Sequence, residues 1–221
     1  MAPVGVLFDL DGTLVDTTYL HAVTWWEALR RADHDVPMSI IHHAIGMGAD
    51  KILDSLLGED RDRDEDGKLS DAHAVLYSTY WERLRPLPGA TELLRACAAA
   101  GLRVVLASSA KERELRALRA ALAADDVVDV ATGASDAKES KPAPDILEVA
   151  LERAGLSADD VVLVGDSVWD VRAAERLGIP CVGVTCGGTS AEELTRAGAV
   201  AVYRDPADLL ATLDESPLRA S

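Results

Sequence analysis

The chain is expected to fold as a doubly wound α/β protein with a parallel sheet and an all-helical insertion near its start. Three observations predict this. Residues 4–8 (Val-Gly-Val-Leu-Phe) form an apolar run that ends in Asp9-Leu10-Asp11-Gly12, the pattern of a buried strand entering a turn. Residues 17–84 carry helical periodicity alone. From residue 90 onward helical and strand patterns alternate, which requires right-handed crossovers and places helices on both faces of the sheet.

Taken in order, strand 4–8 is followed by a helix to about residue 32, with Asp16 or Thr17 as its N-cap. Leu20, Val23, Trp25, Trp26 and Leu29 give that helix a broad apolar face. Helical segments 39–45 and 50–57 are split by Gly46-Met47-Gly48, and a fourth covers about 70–84. Arg85-Pro86-Leu87-Pro88-Gly89 breaks the pattern as a linker. Helix 90–100 then ends at Gly101, and strand 102–107 follows. Helix 111–123, a short strand near 127–131 and helix 143–154 come next. Strand 161–164 runs into Gly165-Asp166-Ser167, followed by helix 168–177, strand 180–185, helix 190–197, strand 199–202 and helix 206–213. The expected core is therefore residues 1–16 and 86–221, with residues 17–85 inserted.

Composition narrows the function. A chain of 221 residues with 48% hydrophobic content builds one sizeable domain, or one with an insertion. No apolar run is long enough to span a membrane, and Asp9 and Asp11 interrupt the N-terminal stretch, so it is no signal peptide. Cys97, Cys181 and Cys186 are odd in number, fit no metal spacing and read as small buried hydrophobes of a reduced, cytoplasmic protein. A net charge of −16 argues against nucleic acid or an anionic membrane as partner. An anionic substrate must then be drawn in by a local positive site and a metal. Asn and Gln are absent and most basic residues are Arg, from which no function follows. The expected state is a monomer or weak homodimer.

The first stretch carries the chemistry. Side chains at i and i+2 of an extended chain point the same way, so Asp9 and Asp11 can face one site at the carboxyl end of a strand. Close carboxylates repel and need a cation, and hard oxygen donors suit Mg²⁺. Gly12 permits a sharp turn, and Thr13 offers a hydroxyl to an anion. Ser108 and Ser109, after strand 102–107, can present hydroxyl and backbone N–H groups to a phosphate oxygen, or cap the next helix, with Ser109 the candidate cap. Lys141, fixed by the proline after it, is a point charge for phosphoryl oxygens; Lys138 reads as a surface residue.

Asp9-Leu10-Asp11-Gly12-Thr13 resembles the first motif of the haloacid dehalogenase-like (HAD) superfamily, most of whose members are phosphatases. Ser108, Lys141-Pro142-Ala143-Pro144-Asp145 and Gly165-Asp166-Ser167-Val168-Trp169-Asp170 resemble the later motifs. The likeness covers essentially the whole chain. It implies a Rossmann-like core with the helical cap of the phosphoglycolate phosphatase and β-phosphoglucomutase branch. It further implies a phosphatase of a small phosphorylated metabolite. Asp9 would be the nucleophile that forms an aspartyl-phosphate. Asp11 would be the general acid and then the base, with its backbone carbonyl on the metal. Asp166 would ligate Mg²⁺ with Asp9, and Asp170 would hold Lys141 or a metal-bound water.

His21 stands where β-phosphoglucomutases carry a histidine that assists proton transfer, although related phosphatases also have one, and a packed or surface histidine is the competing reading. Two departures argue against a mutase: Gly165 replaces a glutamate before the metal aspartate, and the cap offers no arginine near Gly46, only Lys51. Asp11 argues against a dehalogenase, and Lys51 alone would have to serve as a phosphonatase amine. A non-catalytic binding protein of the same fold is the remaining alternative. Arg83 and Arg85 read as surface residues beside the linker. The acidic run 59–67 reads as a solvated interhelix loop. Its Asp62, Asp64, Asp66 and Gly67 also fit half of a calcium loop that lacks the closing glutamate.

Overall fold

A computed structural model describes residues 3–219. Its six strands are β1 (Gly5–Phe8), β2 (Arg103–Ala107), β3 (Val130–Thr132), β4 (Val161–Gly165), β5 (Cys181–Val184) and β6 (Ala201–Tyr203). They form one sheet in the order β3-β2-β1-β4-β5-β6, with every neighbouring pair parallel. In register, Phe8 lies beside Leu106 of β2 and Val164 of β4. The strand order reverses direction at β1, so the ends of β1 and β4 flank the crevice where open α/β sheets bind ligands.

Period-two alternation sorts the strand side chains into two cores. Val6, Phe8, Val104, Leu106, Val162, Val164 and Val182 pack on one face against α5 (Ala90–Ala99), α6 (Glu112–Leu122) and α10 (Pro206–Ala211). Leu7, Val105, Ala107, Leu163 and Cys181 pack on the other against α7 (Asp145–Ala154), α8 (Val168–Glu175) and α9 (Ala191–Ala197). The fold is thus the expected doubly wound α/β sheet with helices on both faces.

Between β1 and α5 lie α1 (Thr18–Arg31), α2 (Met38–Ala44), α3 (Ala49–Leu57) and α4 (Asp66–Ser78), with a core of their own around Trp25, Leu29, Ile41, Ile52, Leu53 and Leu69. The chain leaves and re-enters the sheet at one place. Asp16 N–H donates to the Arg85 carbonyl at 3.1 Å, and Leu87 N–H to the Leu14 carbonyl at 2.8 Å.

Several local expectations are corrected. Helix α4 starts at Asp66, inside the acidic run, and stops at Ser78, with a 3₁₀ turn at Trp81–Arg83. Arg61 clamps Asp66 with two bonds of 2.8 and 2.7 Å and also reaches Asp54, and this charge pairing lets the helix begin early. Gly67 therefore lies in a helical turn, Asp62 caps the Asp64 N–H, and Asp62, Asp64 and Asp66 form no convergent metal group among the described residues. Strand β3 starts later than 127. Val23 is exposed on α1 rather than part of its buried face. Thr17 stands at the N-cap of α1, but its hydroxyl is spent on Asp11 and not on the helix.

Candidate active site

The turn after β1 is tight. The N–H groups of Leu14 and Val15 both donate to the Leu10 carbonyl at 2.9 Å, and Gly12 N–H donates to Val15. Gly12 has φ +78°, and a Cβ there would lie 2.5 Å from an Asp166 oxygen, so both backbone angle and space require glycine. The turn buries Leu10 and Leu14 in the sheet's core and leaves Asp9, Asp11 and Thr13 at the strand end.

Four separate stretches meet there. Lys141 Nζ lies 2.5 Å from Asp9 Oδ1, 2.7 Å from Asp170 Oδ1 and 3.3 Å from the Ala107 carbonyl at the end of β2. The Thr13 hydroxyl lies 3.2 Å from both Asp9 Oδ2 and Asp166 Oδ1. Ser167 aims Asp170 through a capping box at the start of α8: its N–H and hydroxyl donate to Asp170 Oδ2 at 3.1 and 2.6 Å. The other Asp170 oxygen is thereby turned to Lys141. Lys141 and Asp170 are each 1% exposed, and Asp166 and Asp9 only 4 and 6%, so these charges meet in a nearly dry site.

Asp9, Asp166 and Asp170 each bring a carboxylate oxygen within 4.8 Å of the others, with one ammonium among them. Burial raises the Asp9 carboxyl to about 7 and pushes Asp166 well above the usual range, reinforced by neighbouring carboxylates. Burial opposes the charge on Lys141, but Asp170 and Asp9 outweigh it and hold its pKa up. A set of hard oxygen donors with surplus negative charge fits a divalent cation of the Mg²⁺ type. The backbone also leaves room: a Cβ on Gly187 would lie 1.6 Å from Asp166 Oδ2. The Asp11 side chain is not part of this group.

Asp11 Oδ1 instead accepts from the Thr17 hydroxyl at 2.7 Å and faces His21 Nε2 at 3.2 Å. Its second oxygen accepts no hydrogen bond among the described residues, and the residue lines a cavity of about 330 Å³. Burial would raise Asp11, but the His21 hydrogen bond and charge and the Thr17 hydroxyl outweigh it, so its pKa is lowered. Burial likewise opposes charge on His21, but Asp11 and Glu114 raise its pKa. On the far side of the ring, His21 Nδ1 lies 3.2 Å from His73 Nε2. Burial, then the charges of His21 and Lys111, hold His73 well below the ordinary histidine range.

The cavity lies between the sheet edge and the inserted helices. Asp9, Asp11, Ser109, Lys111 and Lys138 line it from one side and Trp25, Ile45, Met47, Ile52 and His73 from the other. Ser108 is buried, and its hydroxyl accepts from the Ala110 N–H at 3.0 Å. Ser109 does not cap the following helix. Lys111 occupies the α6 N-cap without a side-chain bond, and the buried Ser109 hydroxyl has no partner. Lys138 is exposed but lines the cavity. Lys51 lies 2.7 Å from Glu139 and is not free to act as an amine nucleophile in this conformation. Arg83 stacks on Tyr80, away from the cavity.

Residues 4–178 match the model of the family described as haloacid dehalogenase-like hydrolase. The chain belongs to this family. A phosphoglycolate phosphatase of Rhodospirillum rubrum is 35% identical over 94% of this chain and 89% of its own length. The crystal structure of a hydrolase from Pseudomonas syringae aligns with a TM-score of 0.91 and 36% identity, covering 96% of this chain and 98% of that one. A β-phosphoglucomutase from Clostridium difficile aligns with a TM-score of 0.82 over 96% of both chains, but at 20% identity it shows the fold alone. The protein is accordingly an enzyme, a hydrolase of the phosphatase kind. No helix among the described residues is long and apolar enough to cross a membrane.

Sequence reasoning missed Glu114, 3.4 Å from His21 Nε2, and His73 behind the same ring. Each is paired across a long stretch of chain. The one available signal was the i,i+4 spacing of His21 with Trp25 and of His73 with Tyr77, which puts each pair on one helix face.

Proposed function

We propose that the protein is a Mg²⁺-dependent phosphatase that hydrolyses a small phosphate monoester, with phosphoglycolate as the first candidate. The observation that carries this reading is Asp9. It is a buried carboxylate at the sheet's switch point, paired with Lys141 and grouped with Asp166 and Asp170, and it lines the cavity between the sheet edge and the inserted helices. Support for the substrate is the printed activity of the R. rubrum relative.

Asp9 attacks phosphorus and forms an aspartyl-phosphate. Both its oxygens are engaged, but Oδ2 has only a share of the Thr13 hydroxyl and is the freer to attack. Asp11 gives a proton to the departing alkoxide through its unbonded oxygen and then takes one from the hydrolytic water. Lys141 neutralises phosphoryl oxygen charge, and the Ser109 backbone N–H and unpartnered Ser109 hydroxyl donate to it, the Ser108 N–H being held by the Thr132 carbonyl at 3.2 Å. Bound at Asp9, Asp166 and the Asp11 backbone carbonyl, with Asp170 nearby, Mg²⁺ would supply further charge neutralisation. The inserted helices, residues 17–85, act as a cap domain over the core of residues 1–16 and 86–221, and they exclude water. The enzyme works in the cytoplasm as a monomer or weak homodimer.

One observation keeps a β-phosphoglucomutase-like mutase in view, namely His21 on Asp11. Against it stand Gly165 and the tying of Lys51, the cap cation, to Glu139. Phosphate release from phosphoglycolate and from hexose phosphates, with Mg²⁺ and with EDTA, tests the proposal. Metal-dependent release of inorganic phosphate is expected. Isomerised sugar phosphate without phosphate release would establish the mutase instead.

A further inference from the structure

We propose that Glu114 is a positioning residue, which holds His21 against Asp11 and so aims the free Asp11 oxygen at the leaving group. The proposal rests on the reading of Asp11 as general acid. Glu114 comes from α6 and Asp11 from the turn after β1, whereas His21 comes from α1 of the inserted helices. The histidine Nε2 lies 3.2 Å from Asp11 Oδ1 and 3.4 Å from Glu114 Oε1. With the Asp11 proton on its unbonded oxygen, Oδ1 still accepts, so Nε2 donates to Asp11 and stands in charge contact with Glu114 Oε1. Nδ1 faces His73 Nε2 at 3.2 Å, and the ring stacks on Tyr77 with centroids 4.0 Å apart.

Each of these contacts removes one freedom of the ring. Tyr77 fixes its plane and His73 fixes one edge. On the other edge, Asp11 Oδ1 is already shared with the shorter Thr17 bond, so it is a crowded anchor. Glu114 supplies the second anchor. A side-chain acid lining a cavity that must admit an anion works against binding, which argues for a role toward His21 rather than toward substrate. The bridge also joins two elements of the sheet region to the inserted helices, so the Asp11 carboxylate takes its final orientation only when α1 is docked.

The test compares two esters in the presence of Mg²⁺. Phosphoglycolate releases glycolate, whose alkoxide is a poor leaving group and needs a proton, whereas p-nitrophenyl phosphate releases p-nitrophenolate, a stable anion that draws little on a general acid. Glu114→Ala should lower kcat on phosphoglycolate by about 10–100-fold, the usual scale for losing a group that orients a reacting one. KM should not rise, and the loss on p-nitrophenyl phosphate should be several-fold smaller. Glu114→Gln keeps the side chain's size and a polar oxygen but not its charge, and should recover only part of the difference. Equal losses on both esters, or none on either, would overturn the proposal. Asp11→Asn is the control. If it shows no preference between the esters, or the wild type hydrolyses neither, the functional reading fails first. If it discriminates and Glu114→Ala does not, the inference alone fails.

Discussion

Replacing Asp9 by its neutral isostere, Asp9→Asn, should destroy activity yet stabilise the metal-free protein above neutral pH. Burial raises the Asp9 carboxyl from an ordinary 3.8 to about 7 even with Lys141 beside it. The folded state therefore binds this proton more tightly than the unfolded chain does. The resulting contribution to stability is full below about pH 4 and is lost as the pH rises toward 7. A difference of roughly three pKa units is worth about 4 kcal/mol at 1.36 kcal/mol per unit. Asparagine carries no charge to bury, and Lys141 keeps Asp170 and the Ala107 carbonyl as partners. For a chain of this size, that is about 8–16 °C in melting temperature. The assay is thermal unfolding of both proteins in EDTA from pH 4 to 9. The curves should converge at pH 4 and separate by pH 8, with the variant the more stable. Mg²⁺ should then stabilise the wild type, by about 2.7 kcal/mol at a hundred times its dissociation constant, and the variant less. A variant that is no more stable at pH 8, or equally favoured at pH 4, would refute the linkage.

Three other substitutions probe separate parts of the structure. Gly187→Ala puts a Cβ onto Asp166 and should weaken Mg²⁺ activation by about 10–100-fold, read from the metal dependence of the rate. Asp50→Ala removes the acceptor for the Ser140 N–H and hydroxyl, a latch between α3 and the segment before Lys141. At about 1 kcal/mol for such bonds, KM should rise several-fold while the melting temperature barely moves; an unchanged KM would count against a closing role. Leu93→Ala opens a hole in the fully buried face of α5 and should cost about 2–5 kcal/mol in urea unfolding with an unchanged slope.

What the sequence revealed follows covalent distance. The end of β1 was legible because strand, paired aspartates and glycine lie within ten residues, and the spacing itself fixes which side chains share a face. The Gly165–Asp170 turn was legible for the same reason, although not that Ser167 would aim one Asp170 oxygen at Lys141. The start of α4 was hidden because it depends on Arg61 neutralising Asp66 and Asp54, a side-chain pairing that reverses the reading of an acidic run as loop. The surroundings of His21 were hidden more deeply. His73 lies 52 positions away, and Glu114 sits on a helix of the sheet region whose sequence reads as an ordinary amphipathic pattern.

The distribution of charge has a consequence for how the substrate enters. Around Lys141 three carboxylates face one ammonium, and around His21 two carboxylates share one imidazole. Lys111 and Lys138 line the cavity but are exposed, and Asp50 and Glu139 line it too, so the screened rim adds little net attraction. With a chain charge of −16 around it, the metal-free site should repel a phosphate dianion. Inorganic phosphate should therefore bind at least about 100-fold more tightly with Mg²⁺ than in EDTA, a difference of about 2.7 kcal/mol. Calorimetric titration at fixed pH reads this directly, and Asp166→Asn should narrow the gap by weakening the metal rather than the anion contacts. Equal phosphate affinity in both conditions would mean that Lys141 and Ser109 hold the anion unaided, and the acidic cluster would then need a different explanation from cation binding.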